Sequence, residues 1–166
     1  MDFADLYGGY FGRIFAYAKC RVRDVAAAED IAAAVFGKAF ERLVQYDPAR
    51  GGPAQWLFGI ARNEVNLHLR RGAILAFLPL DLFGDMFRDK AAGAQDALGR
   101  GEGSAALAAA LAELGEQERD LISLKFYSEL NNREIAGLTG LSESNVGTIL
   151  HRCMGKLRKK LAGEGS

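Results

Sequence analysis

Residues 130–161 read LNNREIAGLTGLSESNVGTILHRCMGKLRKKL, and this stretch decides the architecture of the C-terminal part of the chain. Asn131 stands three residues before Glu134, a spacing typical of a capped helix start. Gly140 predicts the end of that helix, and Ser142 predicts the cap of a second, longer helix. Two helices joined by so short a turn have the layout of a helix-turn-helix.

The second of these helices is predicted to have two unlike faces. At 100° per residue, one face gathers the apolar side chains of Val146, Leu150, Leu157 and Leu161. The opposite face gathers the polar side chains of Ser144, Thr148, Arg152 and Lys159. Hydroxyl groups near the helix start would reach base edges, and cations further along would reach phosphates. An ordinary helical hairpin with a solvated polar face is the alternative, and this segment alone leaves it open.

The N-terminal part is predicted to be a bundle of three helices. The first helix repeats apolar residues at three- and four-residue steps from Phe3 to Ala18. Asp24 predicts the cap of the second, whose expected buried face comprises Ile31, Val35, Phe36, Phe40 and Leu43. A turn rich in proline and glycine precedes a third helix over about residues 54–71, with Trp56 expected in the core.

The predicted fold class is all-α, with two small helical domains joined by a flexible linker, because no run alternates with period two for long enough to indicate a strand. The expected boundaries are residues 1–75, a linker over residues 76–104, and a helix-turn-helix domain over residues 105–166. Within the last, a helix over residues 116–127 counts Phe126 among its apolar members. The linker aromatics either dock on the first domain or contact a partner protein.

The composition of the chain restricts which classes of function are plausible. The 21 basic residues balance 21 acidic ones, so any affinity for nucleic acid depends on the local cluster of cations near the C-terminus. Two distant cysteines and two distant histidines predict no disulfide framework, metal site or cofactor. No secretory leader and no apolar run long enough to span a bilayer is evident, which predicts a cytoplasmic protein without membrane insertion. No pairing of titratable groups indicates an enzyme.

The two halves together resemble the extracytoplasmic-function (ECF) group of bacterial RNA polymerase sigma factors. Residues 130–161 look like the domain of that group that binds the promoter −35 element. Residues 28–71, AEDIAAAVFGKAFERLVQYDPARGGPAQWLFGIARNEVNLHLRR, resemble its core-binding and −10-reading domain. The resemblance implies a protein that binds polymerase core through the clamp helices of the largest subunit and through the flap. It also implies promoter recognition, −10 melting and transcription initiation.

The resemblance also implies roles for residues of the first domain. The core-polymerase-binding positions are Asp30, Ala33, Ala34 and Lys38. The positions facing the unwound −10 strand are Lys38, Tyr46 and Asn63, with Arg62, Arg70 and Arg71 serving its phosphates. A base held out of the stack needs a stacking surface and hydrogen-bond partners, and its backbone needs a cation. Ala33-Ala34 departs from a pair that is often Gln-Glu in the group, which predicts weaker binding to core.

In the second domain the resemblance implies −35 contacts from Ser144, Asn145, Thr148, His151, Arg152, Lys156 and Lys159. Gly147 and Ile149 stand where many relatives carry cations, and Leu67 replaces a residue that is often acidic. An anti-sigma factor is an expected partner, with the apolar residues 74–87 as a candidate contact. The alternatives are a stand-alone helix-turn-helix DNA-binding regulator and a degenerate sigma-like interaction protein.

Overall fold

The computed structural model describes residues 1–76 and 102–164, and in these ranges the secondary structure consists of helices. The α-helices are α1 (Phe3–Val22), α2 (Val25–Arg42), α3 (Pro53–Ala76), α4 (Glu102–Ala112), α5 (Glu116–Ser128), α6 (Asn132–Thr139) and α7 (Glu143–Glu164). Two short 3-10 helices, Leu43–Gln45 and Pro48–Arg50, join α2 to α3. The predicted all-α class is confirmed, while the linker between the two helical groups lies largely outside the described residues.

The first domain packs α1, α2 and α3 around one apolar core. Asp24 caps α2 as expected, because its side chain accepts a hydrogen bond from the backbone N–H of Ala26 at 3.1 Å. The buried residues repeat every three or four positions along each helix, so each helix turns a single stripe inward. That shared core includes Leu6, Ile14, Tyr17, Ala18, Ala28, Ile31, Ala32, Val35, Phe36, Ala39, Leu57, Phe58, Ile60, Ala61 and Val65.

The expectation that Phe40 is buried is wrong, because 66% of this residue is exposed. Phe40 lies two residues before the end of α2, where the neighbouring helices no longer cover the apolar face. Its ring meets that of Phe3 edge-on, with the centroids 5.2 Å apart. Trp56 is only partly buried, and its ring contacts that of Tyr46 at 5.2 Å.

The second domain consists of α4 to α7, with the helix-turn-helix predicted from residues 130–161. Asn131 and Glu134 form the predicted capping box at the start of α6, and Gly140 ends the helix with a φ of 77°. The Ser142 hydroxyl accepts from the Asn145 N–H at 3.1 Å, as expected of a cap for α7. Phe126, an apolar residue near the end of α5, is 60% exposed.

The two domains are packed against each other, mainly through α1 and α5 and additionally through α3 and α6. Arg13 donates from Nε to the carbonyl oxygen of Tyr127 at 2.8 Å and from its other guanidinium nitrogen to that of Ser128. A Cβ atom added to Gly59 on α3 would lie 3.4 Å from Leu138 on α6. Hydrogen bonds and close packing therefore join the two domains in this conformation.

Candidate nucleic-acid and polymerase interfaces

One face of α2 forms a flat, solvent-exposed strip. Asp30, Ala33 and Gly37 follow one another at three- and four-residue steps and are all exposed, whereas Ile31, Val35 and the rest of the opposite face are buried. A Cβ added to Gly37 would have nothing within 4 Å. Because the side chains along this strip are short, a partner helix can approach α2 closely.

Two of the four residues predicted to bind polymerase lie off the centre of this strip. Ala34 is half-buried at its edge. Lys38 is half-buried too, and its ammonium group forms an ion pair with the Glu64 carboxylate on α3. The structure therefore places Asp30 and Ala33 on one surface, whereas Lys38 forms its ion pair with α3.

An open pocket of about 320 Å³ lies beside the 3-10 helices. The Tyr46 hydroxyl donates to the carbonyl oxygen of Gly51 at 3.2 Å, which fixes the ring against Trp56. The pocket thus offers aromatic faces next to amide and charged groups, and its volume is sufficient for one planar aromatic ligand. Its lining consists of Gln45, Tyr46, Asp47, Arg50, Gly51, Gln55, Trp56, Gly59 and, from the second domain, Leu138.

The remaining predicted residues of α3 fall into two groups. Asn63 is exposed one helical turn beyond Gly59 of the pocket lining, and Arg70 and Arg71 are exposed near the helix end. Arg62 differs from them, because its Nε donates to a carboxylate oxygen of Asp120 at 2.8 Å in the second domain. An arginine engaged in this way has fewer donors left for a phosphate.

The start of the recognition helix α7 faces solvent. The exposed residues there include Ser144, Asn145, Thr148, His151 and Arg152, five of the predicted contacts. The Thr148 hydroxyl donates to the carbonyl oxygen of Ser144 at 3.0 Å, which orients it along the helix. Val146, Leu150 and Leu157 anchor the opposite face in the core, as predicted, whereas 39% of Leu161 is exposed.

Further along α7, the cations differ in their surroundings. Lys159 is exposed, whereas the Lys156 ammonium group donates to both oxygens of the Glu118 carboxylate at 2.9 and 3.0 Å. The hydrogen bond from Lys156 lowers the pKa of Glu118. Nearby, burial and the Glu118 carboxylate raise the pKa of the Cys153 thiol to about 11.

Gly147 and Ile149 do not occupy free positions of the DNA-facing surface. Ile149 is buried in the core of the second domain. Gly147 packs towards α6, where an added Cβ would lie 3.6 Å from the side-chain nitrogen of Asn132. A lysine or arginine at position 149 would place its charge in the core. The packing of α7 against the other helices therefore favours an apolar residue at this position.

A buried ionic network joins the domains, and no sequence pattern predicted it. One Asp120 oxygen accepts from the Tyr17 hydroxyl and from Arg21, both at 3.0 Å, and the other accepts from Arg62. Arg21 also donates to the side-chain oxygen of Asn66 at 3.0 Å. Burial raises the pKa of Tyr17, so its phenol stays protonated and donates. The one available signal was an aspartate directly before the apolar Leu121-Ile122 in α5.

Other kinds of site receive no support within residues 1–76 and 102–164. This part of the chain contains no group of three or more His, Cys, Asp or Glu side chains placed to hold a metal ion. In the same part, no helix is both long enough and apolar enough to cross a membrane. The surfaces that contain the predicted contact residues include the α2 strip, the pocket beside Tyr46 and the exposed face of α7.

Two family models match the two helical domains in order. Residues 6–73 match the model described as Sigma-70 region 2, and residues 104–157 match the model described as Sigma-70, region 4. The first covers α2 and the pocket, and the second covers the helix-turn-helix. Together they account for most of the described residues.

Individual relatives show the same arrangement along nearly their whole length. The ECF RNA polymerase sigma factor SigM of Bacillus subtilis is 25% identical over 158 residues, with 95% of this chain and 94% of SigM covered. The ECF RNA polymerase sigma factor RpoE of Cereibacter sphaeroides is 28% identical, with coverages of 96% and 86%. The sigma factor RpoE of Bartonella quintana, solved with the anti-sigma factor NepR, superposes with a TM-score of 0.72 at 20% identity, covering 97% of both chains.

Proposed function

The chain belongs to the ECF group of bacterial RNA polymerase sigma factors, and from this premise we propose which surface performs each step of initiation. Sigma factors bind polymerase core and direct it to promoters, and they are initiation factors rather than enzymes. The observation that carries the proposal is the pair of matched domains, each presenting an exposed surface opposite its buried apolar side chains.

The α2 strip is proposed to bind the clamp helices of the largest polymerase subunit. The axes of packed helices lie about 8–10 Å apart, and the distance depends on the side chains at the contact. Ala33 and Gly37 present such a surface, and Asp30 supplies a charge that can pair with a basic residue of the partner. Ala33-Ala34 stands where many relatives carry longer polar residues. Most of the affinity at this part of the strip would therefore come from close packing of complementary surfaces and not from hydrogen bonds.

The pocket beside Tyr46 is proposed to hold a base of the melted −10 strand. Tyr46 and Trp56 provide aromatic faces, and stacking of a base on such a face is sequence-tolerant. Asn63 lies exposed beyond the pocket, where its amide can hydrogen-bond a base edge, and Arg70 and Arg71 can reach the backbone. Melting would then draw its free energy from capture of the unpaired strand, without hydrolysis of a cofactor.

The exposed face of α7 is proposed to enter the major groove at the −35 element. Ser144, Asn145 and Thr148 lie at the helix start, where helices of this motif contact base edges. His151 and Arg152 follow one turn later, and Lys159 extends the cationic surface towards phosphates. Lys156 could bind a DNA phosphate only after its ion pair with Glu118 is broken.

An anti-sigma factor is proposed as the regulatory partner, and the cytoplasm as the place of action. The support for the partner is the solved complex of Bartonella quintana RpoE with NepR, whose sigma chain has the same fold. The candidate contact at residues 74–87 lies outside the described residues beyond residue 76, while Ile74 itself is 64% exposed at the end of α3.

The proposal is tested by reconstitution with bacterial core polymerase. The chain is mixed with core, the complex is isolated by size exclusion, and run-off transcripts are measured from a cognate promoter. We expect co-elution with core and transcripts that disappear when either promoter element is scrambled. Gel shifts without core separate a sigma factor from a stand-alone regulator, because a regulator would bind duplex promoter DNA alone. Absence of both co-elution and transcript would overturn the proposal.

A further inference from the structure

Two lysines near the end of α7 have carboxylate partners within the second domain. Lys156 donates to both oxygens of the Glu118 carboxylate on α5, and Lys160 forms an ion pair with Glu113, directly after α4. Lys159, which lies between them in the sequence, is exposed. Two cations that could approach a DNA phosphate are therefore already paired with an anion of the protein itself.

These three lysines also share one open concavity of about 420 Å³ between α4 and α7. Its lining consists of Ala110, Glu113, Leu114, Lys156, Lys159 and Lys160. Ammonium groups around one concavity repel one another, and an anion placed beside them lowers that repulsion. In the free protein these anions are the two glutamate carboxylates. On a promoter they would be phosphates of the DNA backbone.

Glu118 is the more firmly held of the two carboxylates. Its side chain is 19% exposed, against 62% for Glu113. It accepts a hydrogen bond from the backbone of Gly115, and the Cys153 sulfur lies 3.5 Å from one of its oxygens. Burial raises the pKa of Cys153 to about 11, so the thiol keeps its proton and can donate. A carboxylate already fixed by several donors loses little conformational freedom when it pairs with Lys156.

We infer that Glu118 sets the affinity of α7 for upstream DNA, because its carboxylate occupies the place that a backbone phosphate of the −35 element would take on Lys156. The inference rests on the proposed function, since it concerns how α7 engages that element. Lys156 lies one helical turn beyond the exposed Arg152, so the two side chains are neighbours along the helix surface. A phosphate that reaches Lys156 must displace Glu118, which reduces the net gain from this contact.

The displaced carboxylate also changes how binding depends on salt. Each phosphate neutralised by a lysine steepens the slope of log affinity against log salt by about 0.9, because a condensed cation leaves the DNA. When Glu118 is displaced, its carboxylate attracts a cation from solution, so the net release is smaller. Removal of this carboxylate should therefore raise both the affinity and the slope. The gain should be similar for all DNA sequences, because phosphates carry no sequence information.

The experiment measures the affinity of the holoenzyme for duplex −35 DNA by fluorescence anisotropy across a salt series. Glu118→Gln is expected to tighten binding by about threefold at low salt and to steepen the slope. The matched control is Glu116→Gln, which removes the same charge from an exposed position on the opposite side of α5. In a Lys156→Ala background, the gain from Glu118→Gln should fall to that of the control. A gain that equals the control in the wild-type background, or that persists without Lys156, would overturn the inference.

Two further variants separate this role from net charge and from stability. Glu118→Asp keeps the charge but shortens the side chain by one methylene group, so it should weaken the pair and tighten DNA binding by about twofold. Lys156→Ala breaks the same ion pair and should lower the urea midpoint as Glu118→Gln does, yet it should not tighten binding. Wild-type affinity of Glu118→Asp, or tighter binding by Lys156→Ala, would contradict the inference. If the wild-type holoenzyme does not bind the promoter at all, the proposed function fails and the inference with it.

Discussion

The two proposed DNA-reading regions of this sigma factor differ in their neighbours. Around Thr148 and Arg152, the recognition helix faces solvent. The pocket beside Tyr46 instead borders Leu138 of the other domain, and Arg62 near it is paired with Asp120. The exposed face of α7 can therefore contact DNA directly. The pocket beside Tyr46 becomes fully accessible only after the second domain moves away from it. Substitutions should separate these two requirements.

The largest effect is expected at the α2 strip, which must dock before either region is used. Ala33→Trp should reduce affinity for core by about 100-fold, because a bulky ring prevents the close approach of a partner helix. Folding should be unaffected, since Ala33 is exposed. The measurement is a binding titration with core, with the circular dichroism melt as the folding check. Lys19→Trp, at an exposed position of α1, is the control; equal affinities of the two variants would exclude the strip.

A tenfold effect is expected at the solvent-facing region. Arg152→Ala should weaken binding of the holoenzyme to duplex −35 DNA by about tenfold, the loss expected for one specific or phosphate contact. A phosphate contact would also reduce the slope of log affinity against log salt by about one. Fluorescence anisotropy across a salt series measures both. Lys19→Ala removes the same charge from the other domain, and a matching loss there would mean that only overall charge matters.

A smaller effect on stability is expected at the pocket beside Tyr46. Gly51 has a φ of 152° and ψ of 163°, and a Cβ there would lie 2.6 Å from the Gln55 side-chain oxygen. Gly51→Ala should lower the free energy of unfolding by about 1 kcal/mol and push Gln55 into the pocket. Urea unfolding measures the first effect and single-strand binding the second. At neighbouring Gly52 an added Cβ meets nothing within 4 Å, so Gly52→Ala should be nearly neutral; equal destabilisation by both would refute this reasoning.

The smallest effect on stability is expected inside the second domain. The Glu118 pKa is lowered chiefly by its hydrogen bond from Lys156, so the pair stabilises the fold above the unfolded-state pKa. This contribution is lost as pH falls through the lowered folded-state value. Glu118→Gln should cost less than about 1 kcal/mol at pH 7 and nothing in strong acid. Urea midpoints at both pH values check this, and a deficit that persists in acid would contradict the assignment.

The sequence predicts the helices well because each helix turns an apolar stripe towards the buried core. Asp24, Asn131 and Gly140 act locally, within four residues of the backbone groups they satisfy, so their roles follow from spacing alone. The burial predicted for Phe40 is wrong because this residue lies two residues before the end of α2, where the apolar periodicity continues beyond the neighbouring helices.

The contact between domains could not be predicted in this way. Arg21 and Asp120 are 99 residues apart, and neither position has a spacing that marks its partner. Ile149 is a second example. Many relatives carry a cation at this position, whereas in this structure the packing of α7 buries the side chain.

The most direct test of the central claim is to map transcription start sites made by this chain with core polymerase on fragmented genomic DNA from its own organism. The account predicts a set of starts absent with core alone, preceded by two shared motifs at fixed distances near −10 and −35. Arg152→Ala should weaken selection at the upstream motif and leave the downstream motif unchanged. A start-site profile identical to that of core alone, or one with a single shared motif, would contradict the claim that two domains of one chain read two promoter elements.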